Sequence, residues 1–420
     1  MAKFEICGVK NEQKCSFFFD TKTNIITDTN DNQVIPQYYN HNLDCTKNFT
    51  RDYNPYKKGT TNWLLEIVLG FNCNFHCDYC SQNLVRGTQY SGSLKDVEPF
   101  IQKLKKSHLD CHQIQLWGGE PLVYWKTLEK LIPELRRLYP STSICMTSNG
   151  SLLTINKVKF LLKYDVALFV SHDGYNNSGR PKDVLDNSTV VESIKYFIEH
   201  NNDNFAFSTT PSHNGTDVIK IAKYFNERLG YDDYRVRVGA HNIVRCHVSR
   251  DVNQVLACKL TEQDLQTYQQ SIYRALNAVD KNYYGLRSLV MRRNWLIDSI
   301  LARDPIELVR AECKIPFSDG LITDLKGNIL ICHNHAGIDN KILGQLDDLE
   351  NVSALGYNCW MNKQRCVDCL CIHGCKGGCP SADDRANELA CPNLYALYYG
   401  LYRSVFTSLL GIYVSEIKRV

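Results

Sequence analysis

Phe71-Asn72-Cys73-Asn74-Phe75-His76-Cys77-Asp78-Tyr79-Cys80 is the stretch on which the reading turns. Its spacing is C-x3-C-x2-C, with an aromatic residue before the last cysteine. It follows directly on a short apolar run, Leu64–Leu69, that ends at Gly70. Three thiolates on one loop suit three corners of a [4Fe–4S] cube and leave the fourth iron without a protein ligand. Structural zinc prefers four protein ligands in a closed site, and this spacing is not that of paired C-x2-C knuckles.

Outward from this loop the pattern alternates. Leu64–Leu69, Ile114–Trp117, Ser143–Thr147, Val166–Ser171, Phe205–Thr209 and Tyr234–Val238 read as strands. Between them lie amphipathic segments at Leu94–Lys106, Trp125–Leu138, Ile155–Leu162, Val190–Glu199 and Asp217–Arg228. Strand–helix alternation predicts a parallel sheet with right-handed crossovers, here a partial (β/α)6 TIM-like barrel. Ligands in such folds sit at the carboxyl ends of the strands, which is where the cysteine loop falls. Residues 1–60 carry short alternating pieces and read as a small β-rich arm or cap; residues 260–302 add two helices. The barrel is expected over 61–302, a cysteine-rich domain over 303–395 and a C-terminal amphipathic helix over 396–420.

The chain has 420 residues, of which 44% are hydrophobic and 22% charged, an ordinary globular composition. A net charge of +3 gives no electrostatic case for a nucleic-acid binder or a polybasic membrane anchor. Arg403, midway along the apolar stretch Ala396–Val414, would cost roughly 2.5–3.5 kcal/mol at a bilayer centre, so no membrane partner is expected. The opening MAKFEICGVKNEQK is polar at once and reads as no signal peptide, which points to the cytoplasm. In that compartment 19 cysteines are read as metal ligands or redox thiols rather than disulfides.

The C-x3-C-x2-C loop resembles that of the radical S-adenosylmethionine (SAM) superfamily. The resemblance implies that the open iron chelates SAM and that an electron from the reduced cluster cleaves it. The product is a 5′-deoxyadenosyl radical that abstracts hydrogen from an unactivated C–H bond. Gly118-Gly119-Glu120-Pro121, after the second strand, is similar to the family's GGEP element, which implies contact with the SAM amino group. The third strand runs into Thr147-Ser148-Asn149-Gly150 and the fourth into Ser171-His172-Asp173-Gly174. Both are similar to family turns, implying cofactor-binding places for Ser148, Asn149, Ser171 and Asp173.

Farther on, Cys313-x13-Gly327-x4-Cys332 is followed by Cys366-x2-Cys369-x5-Cys375-x3-Cys379 and then Cys391. This order resembles the seven-cysteine SPASM domain. The resemblance implies two auxiliary [4Fe–4S] clusters, three in all. Cys366, Cys369, Cys375 and Cys391 would hold the outer one, and Cys313, Cys332 and Cys379 three irons of the inner one. A four-cysteine zinc site competes, but it leaves Cys313, Cys332 and Cys391 unexplained. Cys246 and Cys258 compete for the inner cluster's fourth place. Cys7, Cys15, Cys45, Cys111, Cys145, Cys359 and Cys371 read mostly as small buried residues.

Relatives with a complete seven-cysteine domain mostly modify peptides or proteins. The resemblance therefore implies an oxidoreductase-type enzyme acting on a peptide or protein, served by a reductant such as flavodoxin or ferredoxin. Sulfatase maturation is one alternative, and dehydrogenation or epimerisation of a small molecule is another. A non-catalytic zinc scaffold is a third. Sulfatase maturases generally carry Asp after the G-x4-C cysteine; here His333 stands there, with His335 two residues on, and both are candidate proton acceptors. Residues 1–60 show no winged-helix leader-binding pattern.

Overall fold

A computed structural model describes residues 2–36, 58–82, 91–239, 259–278, 283–306, 320–333, 342–353, 360, 363–379 and 384–420. Cys45, Cys246, Cys258, Cys313, His335 and Cys359 lie outside the described residues.

The strands form two sheets. In the larger, β4 (Thr61–Val68), β5 (Asp110–Trp117), β6 (Ser143–Ser148), β7 (Val166–Ser171), β8 (Phe205–Ser208) and β9 (Val238–Gly239) lie side by side, all parallel. Helices α1 (Val97–Lys106), α2 (Trp125–Leu138), α3 (Ile155–Lys163), α4 (Ser188–Asn201) and α5 (Val218–Leu229) make the crossovers. Side-chain caps fix their starts. Thr154 Oγ1 accepts from Lys157 N, Asn187 Oδ1 from Thr189 N, and Asp217 Oδ1 from the amides of Ile219 and Lys220.

The pairing register separates the sheet's two faces. Leu65, Ile67, Ile114, Leu116, Ile144, Met146, Leu168, Val170 and Phe207 are buried on one face. Glu66, Gln115, Cys145 and Ala167 stand in one row across the other. The aliphatic face packs into the core, and the other, inner face carries this mixed row of polar and small side chains.

The sheet does not close. Its edges are β9 and β12 (Ile342–Gln345). Beside β4, β10 (Gly320–Asp324) continues the parallel array, and β11 (Asn328–Leu330) and β12 turn back antiparallel. The cysteine-rich region therefore begins as an extension of the barrel sheet. Gly327, at φ +82°, makes the β10–β11 turn while Asp324 Oδ1 accepts from the amides of Lys326 and Asn328 at 2.8 and 3.0 Å. The glycine of the G-x4-C pattern is required by this turn.

The C-terminal segment differs from expectation. A helix over 396–420 was expected; α8 spans Asp384–Leu410, and Tyr413–Arg419 forms β13. β13 pairs antiparallel with β1 (Lys3–Lys10), whose other neighbour is β2 (Gln13–Asp20), followed by β3 (Ile25–Thr27). Nor is α8 amphipathic in its second half, since every residue from Gly400 to Phe406 is buried. It packs on α6 (Glu262–Asn277) and α7 (Arg287–Ala302), and Phe19 of the small sheet lies against Tyr402 and Phe406. Arg403 is buried and only partly satisfied: Nη2 donates to Val414 O at 2.8 Å and the guanidinium lies 4.1 Å from the Tyr273 ring, while Nε has no hydrogen-bond partner among the described residues. No helix among the described residues is long and apolar enough to cross a membrane.

Candidate active site

The cysteine loop leaves β4 at the carboxyl edge of the sheet and is stitched to the loop after β5. Gly119 N donates to Gly70 O and Glu120 N to Asn72 O, each at 2.9 Å. A Cβ on Gly119 would stand 2.4 Å from Asn72 O, so the two loops approach this closely only with glycine there. Tyr124 Oη accepts from Asn72 N at 2.9 Å.

Glu120 is 1% exposed, and its carboxylate is fully engaged by neighbours. Oε1 accepts from Leu122 N at 2.9 Å and Ser148 Oγ at 2.7 Å; Oε2 accepts from Asn149 N at 2.6 Å. Burial raises its pKa, against the pull of these bonds. Glu120 and Ser148 thus brace the ends of β5 and β6 to each other. Pro121 opens the short turn Pro121–Tyr124 that Glu120 caps. Asn149 joins the brace to the cysteines: Nδ2 donates to Asn74 Oδ1 at 2.9 Å and lies 3.9 Å from Cys73 Sγ.

The three thiols share one electrostatic neighbourhood. Burial pushes the Cys77 thiol up to about 11; the Arg180 charge opposes this, and Cys80, Asp173 and Cys73 reinforce it. Phe75 N donates to Cys73 Sγ at 3.3 Å. Three thiols in one electrostatic neighbourhood, with amide donors at the Cys73 sulfur, offer the donor chemistry that an iron–sulfur cluster takes. Among the described residues no three His, Cys, Asp or Glu side chains are arranged to hold a single metal ion.

Ser171 ends β7 opposite Ser208, on the inner face and partly exposed. Asp173, at 1% exposure, is a hub. It accepts from Tyr79 Oη, from Arg180 Nε at 3.0 Å and Nη2 at 3.3 Å, and from Thr210 N at 3.3 Å. Next door, His172 Nε2 donates to Asp183 Oδ1 at 2.8 Å, its Nδ1 accepting from Gly174 N, and Tyr224 Oη donates to Asp183 Oδ2. Burial would raise the Asp183 carboxyl, but the bonds from His172 and Tyr224 outweigh it and hold it well below the usual range.

The β10–β11 hairpin delivers Cys332 and His333 to the same inner face. His333 Nδ1 stands 2.6 Å from Oε1 of buried Glu66, though not aligned as a hydrogen bond, and its ring lies 4.7 Å from that of Trp117. Farther off, Cys366, Cys369 and Cys391 share one field. Cys369 is pulled down to about 7, chiefly by a hydrogen bond from the Cys371 thiol, with burial opposing and Cys371 N adding a bond at 3.4 Å. Cys371 is itself buried among Cys369, Cys375 and Cys391. The sequence reading did not single out Glu66, Arg180, Asp183 or Tyr224. Arg180 lies in a polar turn, and only folding shows that its charge is buried.

Residues 67–225 match the radical SAM superfamily. They form a radical SAM domain. Over 350 residues the chain is 23% identical to the radical SAM cyclopropyl synthase TigE of Paramaledivibacter caminithermalis, covering 76% of this chain and 68% of that one. Over 109 residues it is 34% identical to the GTP 3′,8-cyclase of Staphylococcus haemolyticus, covering 25% of this chain and 31% of the relative. In fold it is similar to anSMEcpe with bound AdoMet, at TM-score 0.60 and 19% identity over 84% of this chain and 99% of that one. The same protein with bound AdoMet and the Cp18Cys peptide gives a TM-score of 0.55 at 18% identity, covering 83% and 98%. The match over residues 67–225 implies SAM and a [4Fe–4S] cluster as cofactors.

Proposed function

We propose that this radical SAM enzyme modifies a peptide or protein. The observation that carries the reading is that Cys73, Cys77 and Cys80 share one loop and one electrostatic neighbourhood, with the loop tied through Asn149 to the Ser148–Glu120 brace. When loaded and reduced, the cluster held there would supply the electron, and SAM the radical chemistry, for removal of a substrate hydrogen.

Cys73, Cys77 and Cys80 would hold that cluster. Glu120 and Ser148, both buried, fix the loop that carries Gly118, Gly119 and Pro121, so positioning is achieved before the cofactor arrives. Asn149 and the partly exposed Ser171 would offer polar groups to SAM. His333, against Glu66 on the inner face, is the group proposed to take a substrate proton.

Support for a peptide substrate comes from the cysteine order over 313–391, read as two auxiliary clusters, and from the likeness to a fold solved with a peptide bound. Cys366, Cys369, Cys375 and Cys391 would hold the outer cluster, and Cys332 and Cys379, with Cys313, the inner. Anaerobic reconstitution tests the reading. Dithionite-reduced protein is expected to release 5′-deoxyadenosine from SAM and to carry about 12 iron per chain. A peptide encoded beside the gene is expected to change mass in the same mixture. Colourless protein holding zinc instead of iron would overturn the reading.

A further inference from the structure

We propose that Lys363 is the counter-ion of the outer auxiliary cluster: its buried ammonium offsets the negative charge of the group held by Cys366, Cys369, Cys375 and Cys391 and raises its reduction potential. The inference rests on the reading that those cysteines hold an iron–sulfur cluster.

Placement is the first argument. Lys363 O accepts from Cys366 N at 2.8 Å, and Lys363 Nζ donates to Gly377 O at 3.1 Å. Gly377 stands between Cys375 and Cys379, so this one residue joins the start of the cysteine run to its end. Both Cys366 and Cys391 lie within reach of its charge. The surroundings are poorly solvated. Lys363 is 7% exposed, and its amide donates to Trp360 O at 3.0 Å. Trp360 in turn packs with Ile306, Cys366 and Ile372 in a small apolar cluster.

The sign comes from what surrounds the ammonium. It has three N–H donors and no acceptor. Gly377 O is its one hydrogen-bond partner among the described residues, and no carboxylate among them pairs with it. Two acids of the region are taken by arginines: Glu388 by Arg365 and Asp368 by Arg419, each at 2.8 Å. The positive charge of Lys363 is therefore not neutralised by a described side chain.

The third argument is cost. A buried charge without a partner is expensive, and bridging two turns needs only a neutral donor. A cube held by four thiolates is anionic and repays that cost. Reduction adds one more negative charge, which a fixed cation in a poorly screened place favours.

The experiment is an EPR-monitored redox titration of the anaerobically reconstituted full-length protein. It follows the signal that Cys369→Ala abolishes. Lys363→Gln keeps a donor for Gly377 O without the charge. It is expected to shift the reduction equilibrium about tenfold toward the oxidised cluster, a midpoint about 59 mV lower for one electron. Lys363→Met is expected to follow it, and Lys363→Arg, which keeps the charge, to stay within about threefold of the parent. Parental potentials in both neutral variants, with iron content intact, would overturn the proposal. So would a shift confined to the signal that Cys332→Ala abolishes. Should the neutral variants fail to load the cluster, iron content decides. Loss of about a third of the iron in Lys363→Gln and Lys363→Met, but not in Lys363→Arg, is the mark of a counter-ion, and equal loss in all three would overturn it. A parent protein with no signal sensitive to Cys369→Ala would instead overturn the cluster assignment beneath it.

Discussion

The two thiol-rich regions are held together by different kinds of bond. Around Cys73–Cys80 the backbone is tied to distant chain: Gly119 to Gly70, Glu120 to Asn72, Asp78 to Gly179. Around Cys366–Cys379 the backbone bonds are local. Cys366 N reaches Lys363 O, Cys369 N reaches Cys366 O, Cys375 N reaches Cys371 O and Gly378 N reaches Cys375 O. A few side-chain ties add longer reach, such as His373 Nε2 to Thr21 O at 2.7 Å and Arg419 Nη2 to Asp368 at 2.8 Å. The first region is shaped by the barrel. The second is a string of tight turns docked on α8, and bound metal is expected to supply much of its remaining stability.

Removing a ligand from the barrel site should have the largest effect. Cys73→Ala, Cys77→Ala and Cys80→Ala each delete one of three protein ligands, so release of 5′-deoxyadenosine with dithionite is expected to fall to background. Thermal unfolding should change little, since the loop's bonds to distant backbone, from Gly119, Glu120 and Asp78, do not depend on the thiols. Turnover in any of the three variants would break the cluster assignment.

Chelation draws the comparison most directly. Stripping iron from the intact protein should expose residues 363–379 to limited proteolysis while the segment 91–239 stays protected. Cys369→Ala should lose about a third of the iron and show the same local cleavage with the barrel intact. Uniform cleavage of both regions after chelation would contradict the contrast.

A third change tests the brace. Glu120→Ala leaves Ser148 Oγ and the amides of Leu122 and Asn149 without their acceptor in a buried place. A loss of about 1–3 kcal/mol is expected from chemical denaturation. SAM affinity should fall as well, because the GGEP loop loses its anchor. Glu120→Gln retains an acceptor on one side and should fall between.

Much of this was legible beforehand. The helix over Trp125–Leu138 and the strand over Val166–Ser171 coincide with expectation, because apolar periodicity and flanking turns mark them. Tyr413–Arg419 was not, for its two buried residues, Val414 and Ile417, stand three apart, a helical spacing that becomes a strand's only through the bulge in its pairing with β1. The cysteine loop announced itself through spacing, which is a local property. Arg180 and Asp183 did not, because a charge in a turn reads as solvated until its partners, seven and eleven residues away, fold over it.

The smallest expected effect concerns Asp183, on the barrel side of the comparison. Its carboxyl is held below its ordinary value near 3.9 by His172 and Tyr224. The linkage sign follows from that direction. The ionised form is favoured by folding, so its contribution is full above the unfolded value and fades as pH falls toward the folded one. Asp183→Asn removes the titration but keeps an acceptor for His172. The variant should therefore be less stable than the parent near neutrality, by on the order of 1–2 kcal/mol. The gap should narrow as pH drops below about 4. Melting temperatures of both proteins, measured at matched pH from 7 down to about 3, check this. A gap independent of pH would mean that the Asp183 bonds act as neutral contacts, and that the brace behind β7 has no electrostatic part.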